Sequence, residues 1–340
     1  MLGGLAQRAA FVAQVRKSKN PVTVLDSGDL FFSSLQKMPP AQAMTKARLI
    51  GRAYLEMGVT AVNVGSRDLG HGLDFLLEQR QAGLPLISAN LRDPVTKAHV
   101  FPPYTMAVYS GIRVAFVGLT GQLEDSGNIS EVGNRFVISD PVEAAREILP
   151  KLKRKTDLVI LLSDLALSRI HEVVKAGRGI DFVLGIRGRA LSTKPLKKEA
   201  AYFLQSTPNG IYMGRLDLGI SRPGYPFEDA GKIIEMEEEL LSLDQHLEEL
   251  KAQLGGPSEE ETQFRIGLVK KRKAGVEENI RRASAIGRSR ANRFNWKLVP
   301  IDPAGPQDSK VREWIREAQI NEDMLWLVPE RCEPEPLPEP

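Results

Sequence analysis

Short apolar runs alternate with helical patterns over residues 5–220. The runs occupy residues 22–26, 61–64, 85–89, 113–119, 158–162, 182–185 and 212–218. Helical spacing predicts helices over 41–58, 73–82 and 141–155, and the last of these has Asp140 as N-cap and Pro141 at its first position. Strands that are apolar on successive residues are covered on both faces, so the pattern predicts a layered α/β fold.

A different pattern begins after residue 228. Apolar residues then recur at alternating spacings of three and four, which predicts a coiled-coil helix; they are Ile233, Met236, Leu240, Leu243, Leu247, Leu250 and Leu254. Residues 255–258 break this helix, and a second helix with a less regular apolar seam extends to about residue 292. The first arm is acidic and the second basic, which favours an antiparallel hairpin whose arms pair with each other.

A strand at 296–301 and a helix at 309–318 follow the hairpin, and the chain ends in Pro-Glu repeats typical of disorder. We therefore divide the chain into a main domain (1–227), the coiled-coil hairpin (228–293), a strand and helix that return to the main domain (294–328), and a disordered tail (329–340). The hairpin is either inserted in the main domain or appended to it.

The overall composition excludes several classes of protein. The 46 basic and 43 acidic residues give a net charge of +3, which is too even a balance to indicate a nucleic-acid partner. No apolar run approaches the roughly 18 residues of a membrane span, and the start of the chain lacks the apolar core of a signal peptide. The single cysteine, Cys332, lies in the tail and excludes an internal disulfide or a zinc knuckle.

Asp29 is the first candidate for a chemical role. It lies in Val-Leu-Asp-Ser-Gly-Asp (residues 24–29), directly after an apolar run. A carboxylate in such a loop can bridge two cations, as in a binuclear hydrolase, or it can cap the next turn.

Further motifs follow Asp29 in a fixed order. Residues 58–72 read Gly-Val-Thr-Ala-Val-Asn-Val-Gly-Ser-Arg-Asp-Leu-Gly-His-Gly, 86–91 read Leu-Ile-Ser-Ala-Asn-Leu, 117–120 read Val-Gly-Leu-Thr, and 179–185 read Gly-Ile-Asp-Phe-Val-Leu-Gly. Over residues 3–225 this order resembles the 5'-nucleotidase branch of the calcineurin-like metallophosphoesterases. The resemblance implies an α/β/β/α sandwich, and metal ions held by carboxylates, an Asn and several His, which activate water for attack on a phosphoester.

The chain departs from the family at most of the metal-binding positions. Asp29 matches the bridging carboxylate, but the leading Asp-x-His strand has no counterpart, because the chain begins after it. The Gly-Asn-His-Glu loop reads Gly65-Ser66-Arg67-Asp68, so Ser66 and Arg67 replace the Asn ligand and the catalytic His. Asp164 replaces a His after Leu-Leu-Ser, and Gly185-Ile-Arg187-Gly-Arg189 stands in place of Gly-His-x-His. The resemblance thus implies the fold with a degenerate metal site.

Histidine cannot restore the missing ligands from elsewhere in the chain. The four histidines are His71, His99, His171 and His246, and none falls on a ligand position. We interpret the last three as ordinary packed or solvated residues. His71 lies four residues after the lost His and is the one candidate for a catalytic role.

The arginines change the expected chemistry of the cleft. Arg67, Arg187 and Arg189 cannot ligate a metal, because a guanidinium is not deprotonated in proteins. Lining the cleft, they would bind phosphate or carboxylate groups bidentately. They could equally be surface residues, or pair with Asp29, Asp68 and Asp164.

Three functions follow as hypotheses. The leading one is a non-catalytic scaffold or anion-binding protein without a cofactor, whose hairpin binds a protein partner or a second copy, or serves only as an insertion. The alternative is a metal-dependent hydrolase of nucleotides or other phosphomonoesters, with Mn, Mg, Zn or Ca held by Asp26, Asp29, Asp68 and Asp164, with His71 in support. The third is a metal-free binder of a phosphorylated small molecule. Relatives of this kind are commonly exported, which suggests the cell envelope or periplasm, although the chain shows no signal peptide; we leave the compartment open.

Overall fold

A computed structural model describes residues 4–32, 39–122, 135–187, 194–206, 210–252, 254, 259–286 and 292–318. The chain separates into two compact units, Met1–Gly214 with Leu298–Pro340, and Arg215–Lys297. Over the described ranges, no helix is both long enough and apolar enough to cross a membrane.

The secondary-structure elements follow one another as α1 (Leu5–Val15), β1 (Leu25–Asp26), α2 (Pro40–Glu56), β2 (Ala61–Asn63), a 3-10 helix (Arg67–His71), α3 (Leu73–Gln81), β3 (Leu86–Ile87), β4 (Leu91–Arg92), β5 (Tyr104–Tyr109), β6 (Ile112–Leu119), β7 (Val137–Ile138), α4 (Pro141–Leu152), β8 (Leu158–Ser163), α5 (Leu167–Ala176), β9 (Phe182–Leu184), β10 (Leu196–Lys198), β11 (Ala201–Leu204), β12 (Tyr212–Gly219), β13 (Phe227–Asp229), α6 (Gly231–Lys251), α7 (Glu259–Ile286), β14 (Asn292–Pro300) and α8 (Ser309–Glu317).

The first layers of the larger unit are a small parallel sheet and the helices that cover it. Strands β1, β2 and β3 pair in that order, with Leu25 opposite Ala61 and Val62 opposite Leu86. Helices α1, α2, α3 and α8 place their apolar stripes in one core with this sheet. Trp314 of α8 is buried in that core, and the Arg52 guanidinium lies 3.7 Å from the centre of its ring.

The second pair of layers is a larger sheet with α4 and α5 on its outer face. The sheet order is β10-β11-β9-β8-β6-β5, and its central strands β6, β8 and β9 are parallel. Alternate residues of β6, such as Ala115 and Val117, pack with α4 and α5. Asp140 caps α4 by accepting hydrogen bonds from Val142 N and Glu143 N, as the sequence predicts.

The two sheets face each other at close range. A Cβ added at Gly118 of β6 would lie 2.7 Å from Asn63 Oδ1 of β2 and 2.8 Å from the Ile87 carbonyl oxygen of β3. Glycine at this position therefore lets the sheets approach. With helices on both outer faces, the unit has the predicted α/β/β/α layering.

The smaller unit contains the two long helices. Leu247 and Leu250 near the end of α6 pack with Ile266 near the start of α7. Glu239, earlier in α6, lies 2.6 Å from Arg272, later in α7. The contacts run in opposite directions along the two helices, so the helices are antiparallel. Coiled-coil packing between them stays a prediction.

The sequence pattern predicted some of the strands and missed others. Strands β1, β2, β3, β6, β8, β9 and β12 fall on the apolar runs, and β14 begins four residues before the strand predicted at 296–301. Strands β4, β5, β7, β10, β11 and β13 were not predicted, because most are two to four residues long or, as in β5, alternate in exposure. Periodicity carries little information over so few residues.

Candidate functional site

Loops that follow strands of both sheets meet at one place in the larger unit. Asn63 Nδ2 at the end of β2 donates to the carbonyl oxygens of Ser27 (2.9 Å) and Leu119 (3.0 Å), which lie after β1 and at the end of β6. The Ser66 backbone N–H donates to Asp164 Oδ2 (2.7 Å), which follows β8. The carboxyl ends of the strands thus form the site edge expected for such sheets.

A second set of hydrogen bonds explains the Ser-Ala-Asn and Val-Gly-Leu-Thr motifs. Thr120 N donates to Asn90 Oδ1 (2.8 Å), and Asn90 Nδ2 donates to the Thr120 carbonyl oxygen (2.8 Å). Thr120 Oγ1 donates to the Val64 carbonyl oxygen (2.7 Å) and lies 2.7 Å from Ser88 Oγ. These side chains are fully buried. They hold the strand ends in place, a structural role that the motif alone did not reveal.

Asp29 lies in the loop that follows β1 and has a left-handed backbone conformation, with φ at +56°. Its Oδ1 accepts a hydrogen bond from Arg67 N (2.9 Å), and its Oδ2 lies 3.6 Å from Arg67 Nη1. Burial, followed by the negative charge of Asp164, raises the pKa of Asp29 to about 6. Gly65 makes the approach possible, because a Cβ there would lie 2.1 Å from Asp29 N.

Asp68 joins the Asp29 loop to the loop after β2. Its Oδ1 accepts a hydrogen bond from Phe31 N (2.9 Å), and its Oδ2 accepts one from Gly65 N (3.0 Å). The side chain is 1% exposed. Burial, and next the charge of Asp29, raise the pKa of Asp68 well above its usual value. Both carboxylate oxygens are directed at backbone donors, so Asp68 acts as a structural tie.

Asp164, Arg187 and Ser66 form one network. Arg187 Nη2 donates to Asp164 Oδ2 (2.7 Å) and to Ser66 Oγ, and its Nη1 donates to the Gln122 carbonyl oxygen (3.0 Å). Asp164 Oδ1 also accepts from Gly121 N. The side chains of Asp164 and Arg187 are 6% and 19% exposed. We call Asp164, Arg187 and Ser66 the arginine network.

Asp26 lies behind the Asp29 loop. Its Oδ1 accepts a hydrogen bond from Gly28 N (2.9 Å), and its Oδ2 accepts one from the Tyr54 hydroxyl (3.0 Å). Burial raises its pKa, and the Gly28 and Tyr54 hydrogen bonds oppose that rise. Asp26 thus supports the loop from its N-terminal side.

The structure brings together the carboxylates of Asp29, Asp68 and Asp164 and the guanidinium groups of Arg67 and Arg187. For two of the candidate residues the structure describes no side chain. Arg189 falls in 188–193, and for His71 only the backbone, at the end of the 3-10 helix, is described.

The remaining histidines have ordinary surroundings. His99 is half-buried; burial lowers its pKa, and it lies 3.9 Å from Glu147. His171 on α5 lies 4.0 Å from Glu199, and His246 on α6 lies 3.6 Å from Glu249. Each partner is a surface carboxylate, and none belongs to the cleft.

The donor set does not fit a binuclear metal centre. Metal ions of this class need several unshared carboxylate oxygens or imidazole nitrogens. Here Asp68 and Asp164 direct their oxygens at backbone N–H groups, and Arg187 adds a cation to Asp164. Across the part of the chain that the structure describes, no three or more His, Cys, Asp or Glu side chains are grouped to hold a metal.

Comparisons with known proteins show which proteins the chain resembles. No family model matches it. It is 26% identical over 257 residues to the 5'-nucleotidase of Vibrio cholerae, a match that covers 63% of this chain and 44% of that protein. This similarity supports the predicted resemblance to the 5'-nucleotidases. The chain spans less than half the length of this Vibrio relative.

Solved structures show the same fold. A 5'-nucleotidase precursor from Thermus thermophilus superposes with a TM-score of 0.62 at 18% identity and covers 93% of this chain, which covers 53% of that one. The calcineurin-like phosphoesterase YfkN from Bacillus subtilis superposes with a TM-score of 0.60 at 14% identity, covering 95% of this chain and 90% of that one. The α/β/β/α prediction is confirmed by both.

Proposed function

We propose that this chain is a non-catalytic relative of the 5'-nucleotidases, in which the arginine network stands in the place of a metal centre and holds the strand ends of the two sheets together. One observation carries the proposal. Arg187 Nη2 donates to both Ser66 and Asp164, the residues that the resemblance puts at metal-ligand positions. At these two positions, where the family would hold a metal ion, the side chains bind the permanently charged guanidinium of Arg187 instead.

The chemistry of these residues supports a loss of hydrolysis. Metal-assisted hydrolysis lowers the pKa of a bound water and neutralises phosphoryl oxygens. A guanidinium neutralises oxygens, but it has no lone pair to coordinate a metal and stays protonated at all physiological pH values. At the position of the catalytic His, Arg67 cannot alternate between proton donor and acceptor. The cleft retains charge complementarity for an oxyanion without the means to activate water.

An oxyanion-binding role is a second candidate, and Arg67 favours it. Its side chain is 35% exposed, and its Nη1 lies 3.6 Å from Asp29, which is longer than a hydrogen bond. A phosphate could therefore engage Arg67 without breaking a short ion pair. Arg187 is less suited, because its donors already serve Asp164, Ser66 and Gln122.

Activity assays test the non-catalytic proposal. Turnover of AMP and of a generic phosphomonoester is measured with added Mn²⁺, Mg²⁺ or Zn²⁺ on wild type and Asp29→Asn. Asp181→Asn is the matched control, since burial also raises the pKa of Asp181 to about 6 but Asp181 lies before β9, at the other end of the strands. We expect no turnover in any of the three. Turnover that is lost in Asp29→Asn and kept in Asp181→Asn would establish the hydrolase alternative.

For the hairpin, we infer self-association with a second copy through the outer face of α7. Phe264 and Leu268 are 68% and 52% exposed there, and a shallow groove of about 360 Å³ continues along the same face past Gly275. A Cβ added at Gly275 would meet nothing within 4 Å in this chain. Exposed apolar side chains beside an unoccupied groove are typical of an interface.

Charge along α7 selects a second copy as the occupant. The helix begins with Glu259, Glu260 and Glu261 and carries Arg281 and Arg282 near its end. An antiparallel copy of α7 would set each acidic start against a basic end, which favours a two-fold pair.

A further inference from the structure

A shallow groove of about 300 Å³ runs between α2 and α8 on the surface of the larger unit. Helix α2 contributes Arg48, Leu49 and Arg52 to its lining, and the end of α8 contributes Trp314, Glu317 and Ala318. Leu49 and Trp314 are buried, whereas the side chains of Arg48 and Arg52 are more than half exposed. The groove therefore has an apolar floor and a basic rim, which suits an occupant that is both apolar and acidic.

Arg52 is positioned to bind a further carboxylate. Its guanidinium lies 3.7 Å from the centre of the Trp314 ring, a cation–π contact that holds the group in place. Its Nη1 lies 4.0 Å from Glu317 Oε2, and within the described ranges Arg52 makes no hydrogen bond. A stacked guanidinium keeps its N–H donors at the edge of its plane, where they match the two oxygens of a carboxylate. Arg48 is less available, because it already donates two hydrogen bonds to Glu78 (2.8 and 3.0 Å).

The chain continues from this groove with a segment of matching chemistry. Ala318 lines the groove and is the last residue of the described ranges. Residues 319–328 read Gln-Ile-Asn-Glu-Asp-Met-Leu-Trp-Leu-Val, so the carboxylates of Glu322 and Asp323 are followed directly by five apolar residues. An apolar run of this length is unfavourable in water unless a surface covers it.

Charge favours the same occupant. Residues 319–340 include six acidic residues against the single Arg331. Helices α2 and α8 together contain six basic and three acidic residues. The two helices that form the groove are thus net positive, and the segment that follows them is net negative.

The segment starts close enough to reach the groove. Asp323 is five residues beyond Ala318. An extended chain spans up to about 17 Å over that length, which exceeds the roughly 8–10 Å between the axes of packed helices. A tether this short raises the local concentration of the segment at the groove to about the millimolar range. A contact that is weak by itself is then sufficient to hold the segment there.

We propose that residues 319–328 of this chain fold back and dock in the groove between α2 and α8. A carboxylate of Glu322 or Asp323 binds the edge of the Arg52 guanidinium, and the apolar run that follows covers the floor of the groove. The docked segment ties α8 to α2. The proposal involves no residue of the arginine network and does not depend on the proposed function.

Fluorescence of Trp326 tests the docking in the full chain. Acrylamide quenching is measured on wild type and on Trp326→Phe, and the difference between them reports on Trp326. We expect Trp326 in the wild-type chain to be quenched several-fold less than the indole of a free peptide with the sequence of residues 319–328. Quenching equal to that of the peptide would overturn the proposal.

Charge reversal at the groove assigns the contact to Arg52. Arg52→Glu should raise the quenching of Trp326 to near the level of the peptide. Arg146→Glu is the matched control, because Arg146 of α4 is 56% exposed, as Arg52 is, and also lies beside a glutamate, Glu143. Arg146→Glu should leave the quenching as in wild type; an equal effect of the two variants would contradict a specific contact.

Charge reversal in the segment covers the case in which Arg52→Glu unfolds the chain. Glu322→Lys with Asp323→Lys changes no residue of the described ranges and should also raise the quenching of Trp326 several-fold. Combining these two substitutions with Arg52→Glu exchanges the charges and should restore part of the protection. Unchanged quenching in Glu322→Lys with Asp323→Lys would overturn the proposal.

Dilution identifies the chain from which the docked segment comes. A segment bound to its own groove stays bound at every chain concentration, so the quenching of Trp326 should not depend on concentration. Quenching that rises on dilution would assign the groove to the segment of a second copy and would contradict the proposal.

Discussion

Removal of the Arg187 guanidinium should destabilise the larger unit strongly. Arg187→Gln leaves Asp164, which is 6% exposed, without its ion-pair partner, and Ser66 Oγ without its donor. Breaking a buried ion pair by removing one partner costs about 3–5 kcal/mol. Arg187 is 19% exposed, so solvent can partly replace it, and we expect a loss near the lower end of that range. A loss of about 3 kcal/mol corresponds to a Tm decrease on the order of 6–10 °C.

A double-mutant cycle isolates the contribution of the pair. Asp164→Asn keeps the size of the side chain and removes its charge, and Arg187→Gln with Asp164→Asn removes the pair entirely. If the two side chains stabilise the fold mainly through each other, the double variant loses less than the sum of the single variants, by about 2 kcal/mol. Urea unfolding followed by far-UV circular dichroism gives the free energies, and thermal melts give the Tm.

Arg113→Gln is the matched control. Arg113 and Asp157 form an ion pair of similar length, 2.8 Å, but Arg113 is 47% exposed. Exposed pairs contribute little to stability, so this variant should melt close to wild type. Equal losses in Arg187→Gln and Arg113→Gln, or additive losses in the cycle, would refute a structural role for the arginine network.

Three further predictions concern the Asp29 loop and the hairpin. Asp29→Asn should raise the free energy of unfolding above pH 6 by up to about 3 kcal/mol. Burial raises the Asp29 pKa to about 6, so the ionised side chain of the wild type destabilises the folded state increasingly as the pH rises from ~4 to ~6. A stability difference from wild type that persists at pH 4 in thermal melts would contradict this prediction. Gly65→Ala should lower the Tm or prevent folding because its Cβ would lie 2.1 Å from Asp29 N, whereas Gly70→Ala, which meets nothing within 4 Å, should melt like wild type; similar melts would disprove the close approach. Phe264→Glu should reduce self-association in sedimentation velocity, and Val95→Glu, at another exposed apolar residue, should not; a wild type that is monomeric at every concentration would contradict the proposed interface.

The apolar pattern predicted the layers, because a strand that is buried on both faces leaves a local signal in the sequence. Long apolar runs such as β6 and β8 must be buried on both faces, and carboxyl ends of parallel strands share an edge. The family resemblance offered Asp29, Asp68 and Asp164 as candidates for one metal site.

The sequence did not predict which side chains of this site pair with each other. The sequence left open whether Arg187 faces a ligand or a carboxylate, because the choice depends on a few ångströms of loop geometry. Its bond to Asp164 requires the Arg187 backbone to be held beside Leu165, whose carbonyl oxygen accepts Arg187 N (2.8 Å). Such a contact spans two loops and leaves no periodic signal.

The burial of Arg8 and of Lys46 was missed for a different reason. Both residues lie on helices whose charged positions are normally solvent-exposed, and a basic residue inside an amphipathic pattern does not announce burial. Only the packing of α1 against α2 shows that Arg8 and Lys46 are enclosed.

Elemental analysis of bound metal tests the central claim most directly. The purified wild-type chain is incubated with excess Mn²⁺, Zn²⁺ or Mg²⁺, freed of unbound ions by gel filtration and measured for metal per chain, beside Asp29→Asn. If the arginine network stands in place of a metal centre, wild type and Asp29→Asn retain the same trace amounts, well below one ion per chain. One or two ions per wild-type chain, lost in Asp29→Asn, would contradict the account and establish a carboxylate metal site in the cleft.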